Sequence, residues 1–271
     1  MLSADRLARL EDFLIELNTA SAQVILPLFR ADHGLEDKNA DGPKAFDPVT
    51  AADRGAETAI RALLTQRFPD HGVIGEEYGE DRPDSEFVWV IDPVDGTRAF
   101  IAGLPLWTTL IGLRYQGEPV LGSIGQPYLG EIFIGHAGAA RRISRAGTTR
   151  LAVRQGLPMA QAIIATTDPH LCFTAREMDA WNAVRAAVRL ARLGCDAYAY
   201  AMVASGTMDL VIESDLKSWD IEAAIPLLAG AGGRVTNWRG EPVGRHGGQV
   251  IVAGDEALLN AALAHLGPAA A

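Results

Sequence analysis

Apolar side chains recur at three- and four-residue steps from the start of the chain. Leu7, Leu10, Phe13, Leu14, Leu17, Val24 and Leu28, with Ser21 in the series, fall on one face, so an amphipathic helix is expected over residues 4–29. Residues 32–48 are charged and rich in Gly and Pro, the composition of a mobile loop. A second helix is expected over 51–68, burying Ile60, Leu63 and Leu64. The short apolar pair Val73-Ile74 leads into Gly75-Glu76-Glu77, and the unbroken run Phe87-Val88-Trp89-Val90-Ile91 reads as a buried strand. Between 106 and 136, apolar runs are separated by Gln116-Gly117-Glu118-Pro119 and Tyr128-Leu129-Gly130, which are hairpin signals and predict an antiparallel sheet.

Beyond Gly138 the rhythm changes. Strands are expected at 162–166, 208–213 and 250–252, and helices at 174–189, 198–205, 220–229 and 256–265, with Gly232-Gly233 as a helix stop. Such alternation implies a layered α/β arrangement. The chain thus divides into an N-terminal α+β half, residues 1–138, with a helix pair and an antiparallel sheet, and a C-terminal α/β half, residues 139–271.

Composition narrows the classes. With 271 residues, 48% hydrophobic and 21% charged, the chain has the make-up of a folded globular protein. A formal net charge of -10 argues against nucleic acid or an anionic membrane surface as partner. It leaves phosphorylated small molecules open, because a bound metal reverses the local field of carboxylates. Cys172 and Cys195 make no disulfide framework or zinc spacing. Acidic residues at 5, 11, 12 and 16 argue against a signal peptide, and a cytoplasmic location is expected.

The candidate chemistry lies where the strongest strand ends. Asp92-Pro93-Val94-Asp95-Gly96-Thr97 puts two carboxylates beside an apolar run, where unpaired charge is expensive to bury. Pro93 fixes its own φ and Gly96 permits a tight turn, so the chain is expected to leave the strand here, with Thr97 opening a short helix whose free N–H groups favour an anion. Carboxylates beside an anion site repel a phosphate unless a divalent cation lies between them, which is the logic of metal-assisted phosphoryl chemistry. Bland readings stand beside each signal. The pair Glu76-Glu77 is also ordinary on a surface, Thr50 and Asp53 also fit a capping box, and Asp220 also suits the start of a helix.

Taken together and in order, Val49-Thr50-Ala51-Ala52-Asp53, Gly75-Glu76-Glu77, Asp92 to Thr97 and Trp219-Asp220 resemble the inositol monophosphatase family of magnesium-dependent phosphatases. The resemblance implies an αβαβα sandwich, a homodimer, inhibition by lithium, and two or three Mg²⁺ ions per subunit. It implies Glu76, Asp92, the Val94 carbonyl, Asp95 and Asp220 as metal ligands, with Glu77 behind them. It implies Thr97 and Asp53 as the pair that orients the attacking water, and Gly96 and Thr97 as backbone donors to phosphate. Oxygen donors of this kind suit Mg²⁺.

The second half departs from the inositol-specific pattern. Ile221 and Pro226 follow Trp219-Asp220, Asp196 stands in Gly194-Cys195-Asp196-Ala197-Tyr198, and Lys217 precedes the Trp-Asp pair. These features, with Arg98 to Trp107, are similar to the histidinol-phosphate phosphatase branch. Histidinol phosphate carries an ammonium and an imidazole, for which Asp196 and Glu213 are candidate partners, with Lys217 as a third candidate at the substrate. Inositol-1-phosphate, fructose-1,6-bisphosphate and 3'-phosphoadenosine-5'-phosphate remain alternatives, as does a metal-binding regulatory protein without turnover.

Overall fold

The computed structural model describes residues 2–39 and 46–271. The N-terminal apolar series becomes the helix Ala4–Ile25, opened by the Ser3 hydroxyl accepting the Arg6 N–H at 3.3 Å. The second helix, Ala51–Arg67, starts at a capping box in which Thr50 and Asp53 exchange hydrogen bonds. Of the loop expected over 32–48, residues 40–45 lie outside the described residues. The flanking residues are not wholly irregular, because Glu36–Asp37 pairs antiparallel with Pro48–Val49.

The apolar runs assemble into an eight-stranded sheet ordered Gly147–Arg150, Ala139–Ser144, Glu131–His136, Glu118–Gln126, Thr108–Tyr115, Phe87–Asp95, Gly72–Gly75, Gly79–Asp81. Its neighbours run antiparallel except Gly72–Gly75, which lies parallel to Phe87–Asp95. A second sheet of five strands is ordered Leu190–Leu193, Ile163–Thr166, Leu210–Leu216, Gly248–Ala253, Arg234–Thr236. The first two helices pack Phe13, Leu14, Leu17 and Ile60 onto one face of the first sheet, against Trp89, Ile91 and Ile111. The helices Tyr198–Ala204 and Ala224–Ala231 lie between the sheets, where Leu227 and Leu228 share a core with Ile124 and Phe133 on one side and Val211 and Val252 on the other. Ala175–Ala187 and Glu256–Leu266 cover the outer face of the second sheet through Trp181, Val184 and Leu258. The order of layers is therefore αβαβα. Among the described residues, no helix is long and apolar enough to cross a membrane.

Three expectations are corrected. The first sheet does not end at residue 138, because the meander continues through Ala139–Ser144 and Gly147–Arg150, so the change of sheet falls after Arg150. The helix expected over 220–229 is two helices, Ser218–Ile221 and Ala224–Ala231. Pro226 has no N–H to give to the Glu222 carbonyl, so an unbroken helix would lose that bond, whereas in the first turn of a new helix nothing is lost. The strands Leu190–Leu193 and Arg234–Thr236 were not expected, since both are short and at sheet edges, where the apolar pattern is weak.

One local feature sets the spacing of the middle layer. Gly112, Gly122 and Gly135 sit directly opposite one another on three adjacent strands. Residues 222–227 lie on this glycine track with backbone almost touching backbone. A Cβ on Gly122 would stand 2.1 Å from the Ala223 carbonyl oxygen, and one on Gly135 would stand 2.5 Å from the Leu227 Cα. Gly122→Ala is therefore expected to destabilise the fold by at least about 2 kcal/mol in chemical denaturation, the range of an overpacked core without a flexible neighbour. Unchanged stability would mean that the middle layer is not held at this height.

Candidate active site

The strand that begins at Phe87 does not stop at Ile91. Pairing with Thr108–Tyr115 continues to Asp92 opposite Leu110, slips, and resumes with Asp95 opposite Thr108. The sharp exit expected at Pro93 is thus replaced by a bulge, and the chain leaves only at Gly96, whose φ of 81° lies in the left-handed region. The slip has a chemical consequence. In a regular strand, residues three apart point to opposite faces, but one extra residue turns them to the same side. Asp92 and Asp95 consequently converge. Asp92 Oδ1 accepts the Val94 N–H at 3.0 Å, and Asp95 Oδ2 accepts the Ala197 N–H at 2.7 Å from the second half of the chain.

Asp220 reaches the same point from the helix Ser218–Ile221, where Oδ2 accepts the Lys217 N–H at 2.6 Å. One oxygen each from Asp92, Asp95 and Asp220 lie within 4.8 Å of one another. Glu76, directly after the strand Gly72–Gly75, lines with them a cleft of about 210 Å³. Its turn is held by a residue the sequence reading missed. Glu57, buried on the second helix, accepts the N–H groups of Glu77 at 2.8 Å and Tyr78 at 3.3 Å, and the guanidinium of Arg61 at 2.7 Å. A Cβ at Gly75 would collide with that carboxylate, which explains the glycine. Lys38, also missed, places its ammonium 2.9 Å from Glu76 and 2.6 Å from Glu77. Glu77 therefore faces Lys38 behind Glu76, and it is not among the residues lining the cleft.

Asp53 is buried in the first turn of the second helix. Its Oδ2 accepts the Thr50 N–H at 2.8 Å and hydroxyl at 2.6 Å, and its Oδ1 lies 3.3 Å from the Thr97 hydroxyl. The capping box and the contact to Thr97 use different oxygens, so the structural and chemical readings of Asp53 coexist. Val94, Gly96 and Thr97 line the cleft, as do Asp196 and Glu213. Asp196 packs over Gly96, where a Cβ would stand 3.1 Å from its carboxyl carbon. Glu213 is buried and accepts the Thr167 N–H at 2.8 Å and the hydroxyls of Thr167 and Thr166 at 3.0 and 3.1 Å. Lys217 departs from expectation. Its ammonium turns outward, donating to the Asp215 carboxylate at 2.9 Å and the Asp215 carbonyl at 3.2 Å, and does not line the cleft.

Burial raises the pKa of every carboxyl in the cluster, and neighbouring negative charge adds to it. Asp92 and Asp95 are pushed well above the usual carboxylate range, Glu76 to about 7 and Asp220 to about 6. Burial likewise takes Glu213 to about 8 and Asp196 to about 6, the latter opposed by Arg98. Among the described residues, no ion pair reaches Asp92, Asp95 or Asp220, while Glu76 has Lys38. Hard oxygen donors that converge, are desolvated and lack a counter-charge fit a divalent cation of the Mg²⁺ type.

Residues 6–268 match the inositol monophosphatase family. This chain belongs to that family. The inositol monophosphatase fold accounts for the layer order, and a solved inositol monophosphatase from Zymomonas mobilis superposes with a TM-score of 0.81 at 36% identity, covering 93% of this chain and 95% of that one. The chain is also 41% identical over 239 residues to the chloroplastic bifunctional phosphatase IMPL2 of Arabidopsis thaliana, covering 88% of this chain but 66% of that protein's length. It is 34% identical over 193 residues to a histidinol-phosphatase of Chlorobaculum parvum, covering 71% of this chain and 73% of that one. As an inositol monophosphatase family member, the chain is a metal-dependent phosphatase of small phosphorylated substrates.

A sign follows for stability. Each raised carboxyl binds its proton more tightly in the folded state, so its contribution is present below the unfolded pKa and is lost as pH rises through the folded one. With Asp220 at about 6, Glu76 at about 7 and Glu213 at about 8, the metal-stripped protein should lose unfolding temperature as pH climbs from about 5 to about 8. Added Mg²⁺ should restore more at the upper end than at the lower, since protons and cation compete. A flat or rising profile in thermal scans of the stripped protein would mean that the cluster is already solvated or paired.

Proposed function

We propose that this phosphatase hydrolyses histidinol phosphate, using Mg²⁺ and a water oriented by Thr97 and Asp53. The observation that carries the substrate assignment is that the cleft has carboxylates to spare. Asp92, Asp95, Asp220 and Glu76 suffice for the cation, yet Asp196 and Glu213 also line the cleft. Buried acids facing a substrate gain most from a cationic one, because a paired charge offsets their desolvation. An ammonium and an imidazolium supply that charge, whereas a polyol supplies hydroxyls only. Glu213 is prepared for this role: Thr166 and Thr167 orient it with three hydrogen bonds, only one of them on Oε2, so lone-pair capacity remains for a ligand.

A bound cation supplies polarisation of the phosphate and a more acidic bound water. The chain supplies placement and a proton path. The Thr97 hydroxyl has one proton and two acceptors within reach, Asp53 Oδ1 at 3.3 Å and the Val94 carbonyl at 3.1 Å. When it donates to Asp53, its lone pairs are free to accept from a water in the cleft, and Asp53 stands as the terminal base. Burial raises the Asp53 pKa, which improves it as a proton acceptor. Gly96 turns the chain so that the backbone N–H groups at the start of Thr97–Ile101 are available to phosphate oxygens.

Phosphate release with Mg²⁺ should be measured on histidinol phosphate, inositol-1-phosphate, fructose-1,6-bisphosphate and 3'-phosphoadenosine-5'-phosphate. The kcat/KM for histidinol phosphate is expected to lead by at least ~100-fold, about 2.7 kcal/mol of discrimination. Asp196→Asn should raise KM for histidinol phosphate while leaving a neutral ester such as phenyl phosphate nearly unaffected. An inositol-led profile, or equal effects of the substitution on both esters, would discard the role given to Asp196 and Glu213.

A further inference from the structure

Arg114 and Glu222 form a buried, two-pronged ion pair, with side chains 6% and 7% exposed. Arg114 Nε donates to Glu222 Oε2 at 2.6 Å, and its Nη2 donates to Oε1 and, at 3.5 Å, to the Arg245 carbonyl. A buried pair of this kind adds little net stability, since desolvation of both ions offsets their attraction. Its position in the fold supplies a different reason for it. Glu222 is the residue that ends the helix Ser218–Ile221, its N–H donating to the Ser218 carbonyl at 3.0 Å, and it lies two residues after Asp220. Arg114 stands on the strand that pairs with the one carrying Asp92 and Asp95, opposite Val88.

We propose that the Arg114–Glu222 pair is a positioning device for Asp220: it fixes where the Ser218–Ile221 helix sits along the first sheet, over Asp92 and Asp95, and thereby sets the affinity of the site for its cation. The inference rests on the reading of these three aspartates as cation ligands. Asp220 has a tether on each side. On one, the Lys217 N–H holds its carboxylate. On the other, the Glu222 fork holds the backbone to the first sheet. Trp219 packs against Ile74, Val88 and Val90, and Gly112 lets the backbone at Glu222 and Ala223 settle to 3.2 Å from where a Cβ would be. That apolar packing limits how near the helix comes, but it has no directional bond to stop a slide along the sheet. The guanidinium fork supplies the direction, because its two parallel bonds tolerate little rotation or shift.

The test is Mg²⁺ binding to metal-stripped protein by calorimetry, with thermal unfolding measured in parallel. Replacing both partners, R114M with E222M, removes the fork while keeping the volume apolar, so the unfolding temperature should stay close to that of the unchanged protein. The Mg²⁺ dissociation constant should rise about tenfold or more, the usual effect of losing a group that orients a ligand. Arg114→Lys, which keeps the charge but not the fork, should give a smaller rise. A folded double variant that binds Mg²⁺ as tightly as the unchanged protein overturns the proposal. Should the double variant fail to fold, Arg114→Lys decides: unchanged affinity there overturns it equally. If the unchanged protein itself binds no Mg²⁺, it is the metal reading of the aspartates that fails.

Discussion

Mutual repulsion among carboxylates held out of water is the constraint on which this structure turns. Asp92, Asp95 and Asp220 bring oxygens within 4.8 Å of one another, with Glu76 beside them. Left alone, such a group would separate or take up protons, and the raised pKa values express the second response. The fold prevents the first. It spends a bulge at Pro93 and Val94, a left-handed glycine at 96 and backbone donors from Val94, Ala197 and Lys217 to keep the acids together. A local arrangement that opposes its own stability in this way is characteristic of a functional site.

Three parts of the chain meet at that point, and each is held there by different physics. The strand from Phe87 contributes Asp92 and Asp95 through its bulge. The turn after Gly75 contributes Glu76, steered by the buried Glu57. The middle-layer segment contributes Asp220; its distance from the first sheet is set by Gly112, Gly122 and Gly135, and in the inference drawn above its position along the sheet is set by the Arg114–Glu222 fork. The cleft therefore depends on contacts between both sheets and cannot be assembled by either half alone. Asp196 and Glu213 also line this cleft, and in the function proposed above they are the residues that choose among phosphate esters.

Much of this was legible in the residues themselves. The periodicity of 4–29 and 51–68 gave helices, the unbroken run at 87–91 a buried strand, and the hairpin signals between 106 and 136 an antiparallel sheet. The acids at 92 and 95 were visible because carboxylates beside an apolar strand are costly to bury, whereas those at 76 and 220 stood out only through the ordered set of motifs that resembles the family. What stayed hidden depends on distance between residues far apart in sequence. Glu57 reads as an ordinary helix glutamate until Gly75 is seen to leave room for it. Lys38 lies in a polar segment with no periodicity to locate it, and Lys217 carries a charge whose direction shows only in its contact with Asp215. The glycines at 112, 122 and 135 look like weak points in strands, and only the register shows that they line up. Short edge strands escaped for the same reason, since they bury too little for a pattern to form.

The most direct test of the central claim is to count protons as cation binds. Metal-stripped protein should be titrated with Mg²⁺ by calorimetry in buffers of different ionisation enthalpy, from about pH 6 to about pH 9. Binding at the lower end should release protons, because acids with pKa values of about 6 to 7 must give them up, and the release should fade toward the upper end. Asp95→Asn should abolish the binding heat. Cation binding that releases no protons at any pH, or that survives in Asp95→Asn, would contradict the account, since the buried acids would then not be the groups that hold the metal.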